Sequence, residues 1–252
     1  MKEYIKNNGK FLLFVLLSGL IGGYCTGLYM PGTFSPEVTR QLQEQGVTTG
    51  MLVFSTMIQY GVLYGVVLAA IGVVISRKVN LWKELRFDKK GVVATAVISI
   101  TAALLLFPGD KLIFGKFSDW VSDQYLESPG LTKIVSGLLI GGVIEEVMMR
   151  LFLMSLLVLI FSKLFCRHEK IIPVGILVAA NIVSALLFAA GHIPATMAMT
   201  ELTPLLLFRC FLLNGGFGLC FGRLYRKYGI GYAMIAHGLA HLISDLLMVV
   251  VS

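Results

Sequence analysis

The chain has 252 residues and a mean hydropathy of +0.84, with 57% hydrophobic and only 14% charged residues, where a soluble domain carries about a quarter charged. So little charge cannot cover a water-exposed surface. This excludes a soluble enzyme, a disordered regulator and, despite a formal net charge of +7, a nucleic-acid-binding protein, and leaves an integral membrane protein.

Seven stretches are long and apolar enough to span a bilayer, which takes about 20 residues: 11–30, 51–75, 91–108, 131–162, 171–190, 203–222 and 230–251. The fold class expected is an all-α polytopic bundle of seven helices, or eight, enclosing a polar cavity within a single membrane domain, 1–252. The first stretch is too long, and lacks the small-residue exit, for a cleavable signal peptide. Pro31, Pro108, Pro173 and Pro204 mark helix ends. Two connections carry amphipathic patterns that predict interfacial helices: Asn80–Phe87 and Lys111–Glu127, the latter with Ile113, Phe117, Trp120, Val121 and Tyr125 near helical spacing. Cys25, Cys166, Cys210 and Cys220 are widely separated with no CxxC, unlike a disulfide scaffold or a cysteine zinc site.

The basic residues follow the connections. Lys2, Lys6, Lys10, Arg77, Lys78, Lys83, Arg86, Lys89, Lys90, Lys163, Arg167, Lys170, Arg223, Arg226 and Lys227 fall on one side, against Arg40, Lys111, Lys116 and Lys133 on the other. By the positive-inside rule the N-terminus is cytoplasmic and the C-terminus outside. The positive charge is a topology signal with a secondary attraction to anionic lipid.

Ionisable residues inside spans are costly and mark candidate functional groups. Here they collect in the second half of the chain. In the fourth span Glu146 and Arg150 stand at i,i+4 with the acid N-terminal, the better order for an ion pair. Glu145 lies about 100° round the helix, off that face, so one glutamate can be structural while the other serves a cavity. The fifth span ends in Phe188-Ala-Ala-Gly-His192, and the seventh carries His237, His241 and Asp245 at i, i+4 and i+8. Two histidines at i,i+4 also have metal-ligand spacing, but the HExxH of a zincin is absent. A carboxylate with several imidazoles suits activation of water and stabilisation of an oxyanion, the requirements of peptide-bond hydrolysis.

The series EExxxR (Glu145, Glu146, Arg150), FxxxH (Phe188, His192) and HxxxH (His237, His241), in that order on three late spans, resembles the CAAX protease and bacteriocin-processing family, also called Abi or type II CAAX prenyl endopeptidases. The resemblance covers about residues 131–252, the motif-bearing core. It implies a catalytic set of Glu145, which activates the attacking water, His192, which helps hold that water, and His237, which stabilises the oxyanion. Glu146, Arg150, Phe188 and Asp245 are supporting candidates. The family's fourth polar position is usually asparagine; here it is His241, which can still donate a hydrogen bond. No cofactor is expected; zinc, if bound, would take Glu145, His192, His237 and His241.

These motifs pose a depth problem. At 1.5 Å per residue Glu145 lies roughly 27 Å and His192 roughly 30 Å from the inner ends of their spans, whereas His237 lies only about 10 Å from the start of its own. Either the fourth and fifth spans project at the inner end or the seventh begins deeper. The expected function is an intramembrane endopeptidase of a membrane-proximal peptide or protein, serving peptide maturation, bacteriocin immunity or peptide signalling in a bacterial plasma membrane. The alternatives are a non-catalytic regulator of a sensor kinase or transporter and, disfavoured by the lack of internal repeats, a proton-coupled transporter.

Overall fold

The computed structural model describes residues 2–167, 169 and 171–251; Lys170, counted above with the basic residues, lies outside them. Among the described residues the secondary structure is helical, with no strand. Seven helices are long and apolar enough to cross a membrane: α1 (Asn8–Thr33), α3 (Thr49–Lys78), α4 (Lys89–Ile113), α6 (Leu131–Phe165), α7 (Val174–Met199), α8 (Pro204–Tyr228) and α9 (Ile230–Val251). Short helices α2 (Pro36–Glu44) and α5 (Asp119–Asp123) lie in two connections. The signal for α2 is local: Ser35 caps it by accepting from Val38 N–H at 3.3 Å, with Pro36 at the first position.

Lipid tails are as apolar as leucine, so spanning helices associate by close packing and hydrogen bonds rather than by a hydrophobic force. The bundle uses both. Thr56 Oγ1 of α3 donates to Gly23 O of α1 at 2.8 Å, and Thr26 of α1 shares a 2.6 Å hydrogen bond with Ser136 of α6. Where α6 crosses α9, Gly142 meets Gly238; a Cβ on Gly142 would stand 2.7 Å from Gly238 Cα, so only glycine allows this approach. Large apolar side chains such as Leu13, Val97 and Leu186 remain exposed on the outer surface, as a lipid-facing surface requires.

Both amphipathic connections differ from expectation. Residues 81–88 form no helix. Asn80, at φ 58°, turns the chain out of α3. Leu81 and Trp82 then bond back through their N–H groups to Ser76 O, at 2.8 and 3.2 Å. Further on, Tyr232 OH takes Asp88 N–H and donates to Arg86 O, both at 2.8 Å. Bonds that would have built a helix are spent on tertiary anchors. The 111–127 stretch is divided: α4 runs on to Ile113, turns follow, and only α5 is helical beyond them. Phe114 and Val121 bury against Leu206 of α8, a packing that one continuous helix does not provide.

The depth problem is resolved at the basic end. Ser155 of α6 is hydrogen-bonded to Tyr225, near the end of α8, at 2.7 Å; α6 then continues ten residues, about 15 Å, past that level. In contrast α9 begins only about 6 Å before Met234, whose carbonyl lies level with Gly142. Helix α6 therefore overhangs and α9 starts deep. The 79–88 loop lies beneath the buried α9 start, with Leu85 against Gly231 and Lys83 against Gly229.

Candidate active site

The motif residues converge where α6, α7 and α9 meet. Helix α6 is wound with wide i→i+5 turns over Gly137–Glu145 and Val147–Met154, as are parts of α3, α4 and α8. Its Gly141 lies against the His241 ring, where a Cβ would come within 2.8 Å. Small residues thus let the two helices bring their polar stripes together.

The two adjacent glutamates part company. Glu146 is fully buried. Its Oε2 stands 3.4 Å from Nε of Arg150, and its Oε1 accepts from His237 Nδ1–H at 2.9 Å. Arg150, equally buried, donates from Nη2 to Gly218 O at 3.1 Å, and its guanidinium lies 4.7 Å from the Phe188 ring centroid and 5.7 Å from that of Phe221. Nη1 has no hydrogen-bond partner among the described residues; the aromatic faces are its electrostatic company.

Glu145 keeps 25% of its side-chain surface accessible. Its two oxygens stand 3.9 Å from Nε2 of His192 and 3.9 Å from Nε2 of His237. These separations are too long for direct hydrogen bonds and suit a bridging molecule. His192 sits where α7 bends between Val174–Gly191 and Ile193–Met199, ahead of Pro194. Its Nδ1–H donates to Phe188 O at 2.8 Å. A carbonyl only accepts, so the neutral ring carries its lone pair on Nε2, toward Glu145. The Glu146 carboxylate sets the same tautomer on His237. His241 donates from Nε2 to His237 Nε2 at 3.2 Å and stacks on it, centroids 5.0 Å apart.

Phe188 joins these parts: its ring meets His192 edge-on at 4.7 Å and His237 at 6.0 Å while carrying Arg150 on a face. Asp245, by contrast, lies a turn beyond His241 and is buried. The polar stripe on α9 therefore divides, two histidines to the glutamates and the aspartate elsewhere. Among the described residues no group of three or more His, Cys, Asp or Glu is arranged to hold a metal ion.

Two features escape sequence reasoning. Phe221, on motif-free α8, stacks face to face on His237 at 4.5 Å and 19°. A second buried polar cluster joins Arg209 of α8 to Asp110 and Tyr125: Arg209 Nε donates to Asp110 Oδ1 at 2.6 Å, its Nη2 bonds Oδ2, and Tyr125 OH bonds the same carboxylate. Ending the third span at Pro108 had left Asp110 in a loop; the helix carries it inside. An arginine within an apolar span needs such a partner, and that was the available signal.

Comparison with known proteins gives one match. Residues 127–243 match the family described as type II CAAX prenyl endopeptidase Rce1-like; this segment contains Glu145, Glu146, Arg150, Phe188, His192, His237 and His241. No curated protein and no solved structure matches the chain. A multi-pass helical bundle whose late helices carry these motifs in order, in a segment matched by that family, identifies residues 127–243 as a type II CAAX prenyl endopeptidase Rce1-like domain.

Proposed function

We propose that this chain is an intramembrane endopeptidase that hydrolyses a peptide bond in a membrane-proximal peptide or protein. The observation that carries the reading is Glu145, partly accessible and flanked at 3.9 Å by two imidazole nitrogens, each held as an acceptor by a partner on its other side. A water between them gives hydrogen bonds to the carboxylate and to an imidazole, which orients an oxygen lone pair at the scissile carbonyl. Glu145 takes the proton as the C–O bond forms and returns it to the departing nitrogen as the C–N bond breaks. His237 keeps its Nδ1–H on the Glu146 carboxylate throughout, which holds the ring beside Glu145. This is the arrangement by which a buried carboxylate supports a catalytic histidine. His241 Nε2–H, which points at His237 in the resting site, is the further donor available to an oxyanion.

The family's name places prenylated CAAX tails among its substrates; for this chain the proposal is the broader class, with peptide maturation, bacteriocin immunity or peptide signalling as roles. The reaction as written uses no cofactor. The test is peptide mass spectrometry of cells carrying wild type or Glu145→Gln. A membrane-proximal product present only with wild type is expected, from a variant that accumulates and melts like wild type. Identical peptide profiles from cells in which both proteins sustain full biological function would overturn hydrolysis and leave a non-catalytic membrane regulator.

A further inference from the structure

We infer that the cleft between the 79–88 loop and the α8–α9 junction binds the headgroup of an anionic phospholipid. The cleft holds about 570 Å³ and is lined by the cationic side chains of Lys83, Arg86 and Lys227 together with Trp82, Phe87 and Tyr232. It lies at the end of the bundle, where α3 and α8 finish and α4 and α9 begin. That is the level at which a bilayer presents its phosphates.

Charge favours an anion there. Residues 77–90 and 223–227 contain nine lysines and arginines against two acids, Glu84 and Asp88. Both acids line the cleft but are engaged. Asp88 Oδ1 accepts from Gly91 N–H at 2.7 Å, and Glu84 faces Arg86 Nη2 at 3.1 Å, leaving most of the five guanidinium donors free. Lys83 caps α8 through Arg226 O and Lys227 O, at 2.9 and 2.7 Å, and an ammonium has a third donor. Its pKa lies below the usual lysine value through burial and the neighbouring Arg226 charge, a cost that an anion in the cleft relieves.

The choice of a lipid over a free anion rests on the rim. Leu85 and Phe87, between and beside the cations, are 62% and 86% exposed. On a loop in water they would be unfavourable; at a bilayer surface they enter the acyl region while Lys83 and Arg86 stay at phosphate depth, the division an interfacial segment makes. The loop's irregular backbone is pinned by Tyr232, so its cations and apolar side chains are held in one relative position. This inference does not depend on the hydrolytic reading.

The test is native mass spectrometry of the full chain in detergent, titrated with palmitoyl-oleoyl phosphatidylglycerol, phosphatidylcholine of the same chains, or inorganic phosphate. At about 5-fold for each of the two exposed cations, Arg86 and Lys227, phosphatidylglycerol is expected to bind roughly 25-fold more tightly than phosphatidylcholine. Arg86→Gln with Lys227→Gln should lose roughly 25-fold, to the phosphatidylcholine level. Both side chains are exposed, so the variant should melt like wild type. Lys116→Gln at the opposite end and Glu145→Gln should bind as wild type does. Equal affinity for the two lipids, or full phosphatidylglycerol binding by the double variant, would overturn the inference; inorganic phosphate displacing the lipid at comparable concentration would move the ligand from lipid to free anion and overturn it as well.

Discussion

Replacing Arg150 by methionine separates what the buried ion pair does for stability from what it does for the site. Glu146 has no accessible surface, and its carboxylate faces Arg150 and His237. Arg150→Met leaves that carboxylate in an apolar interior without its counter-charge, at a cost of about 3–5 kcal/mol. In a chain of this size 1 kcal/mol moves the melting temperature by about 2–4 °C, so a fall of roughly 6–20 °C is expected. Adding Glu146→Leu removes the stranded charge. The double variant should regain a good part of the loss, held short of wild type by about 1–3 kcal/mol if His237 Nδ1 stays unpaired. Activity should not follow stability back. Without Glu146 the His237 Nδ1–H loses its acceptor, and loss of such an orienting partner costs about 10–100-fold. Thermal melts in one detergent and cleavage of one membrane-proximal peptide, measured on wild type and both variants, decide the matter. Arg150→Met melting within about 1 °C of wild type, or a double variant no more stable than the single, would refute the reasoning.

Three further outcomes are expected. His241→Asn keeps a donor at the position beside His237 and should retain most cleavage, whereas His241→Ala should lose about 10²–10³-fold in turnover; equal loss by both, measured as kcat, would mean the imidazole itself is required. Gly142→Ala sets a methyl 2.7 Å from Gly238 Cα; forcing α6 and α9 apart should cost about 1–3 kcal/mol, read as a lower melting temperature, and should reduce cleavage because Glu146 and His237 ride on those two helices. Asp110→Asn strands Arg209 and should lower the melting temperature while the surviving folded fraction cleaves at the wild-type rate, since Arg209, Asp110 and Tyr125 bond one another and not the glutamates or histidines of the site.

Periodicity and charge determined a good deal of this protein. A run of about 20 apolar residues needs no partner to be visible, so all seven spans could be read directly, and the i,i+4 relation of Glu146 to Arg150 follows from one helix alone. The same geometry separated the two glutamates: 100° of rotation puts Glu146 among buried aromatics and leaves Glu145 toward the accessible side. Amphipathic spacing predicts a helix over Asn80–Phe87 because it does not reveal that Tyr232, almost 150 residues later, takes backbone groups of this loop. The partner of Arg209 was missed for a related reason, since helix ends are the least certain feature of a pattern and Asp110 lies just past a proline.

Depth belongs wholly to the tertiary structure. Counting along each helix places His237 about 17 Å from Glu145, and no local signal corrects this, because where a helix begins along the membrane normal depends on its neighbours. The overhang of α6, the deep start of α9 and the loop beneath it bring His237 Nε2 to 3.9 Å from Glu145. Sequence supplied the chemical groups and the helices that bear them; only packing, through glycines that let α6 and α9 approach, decided that these groups meet.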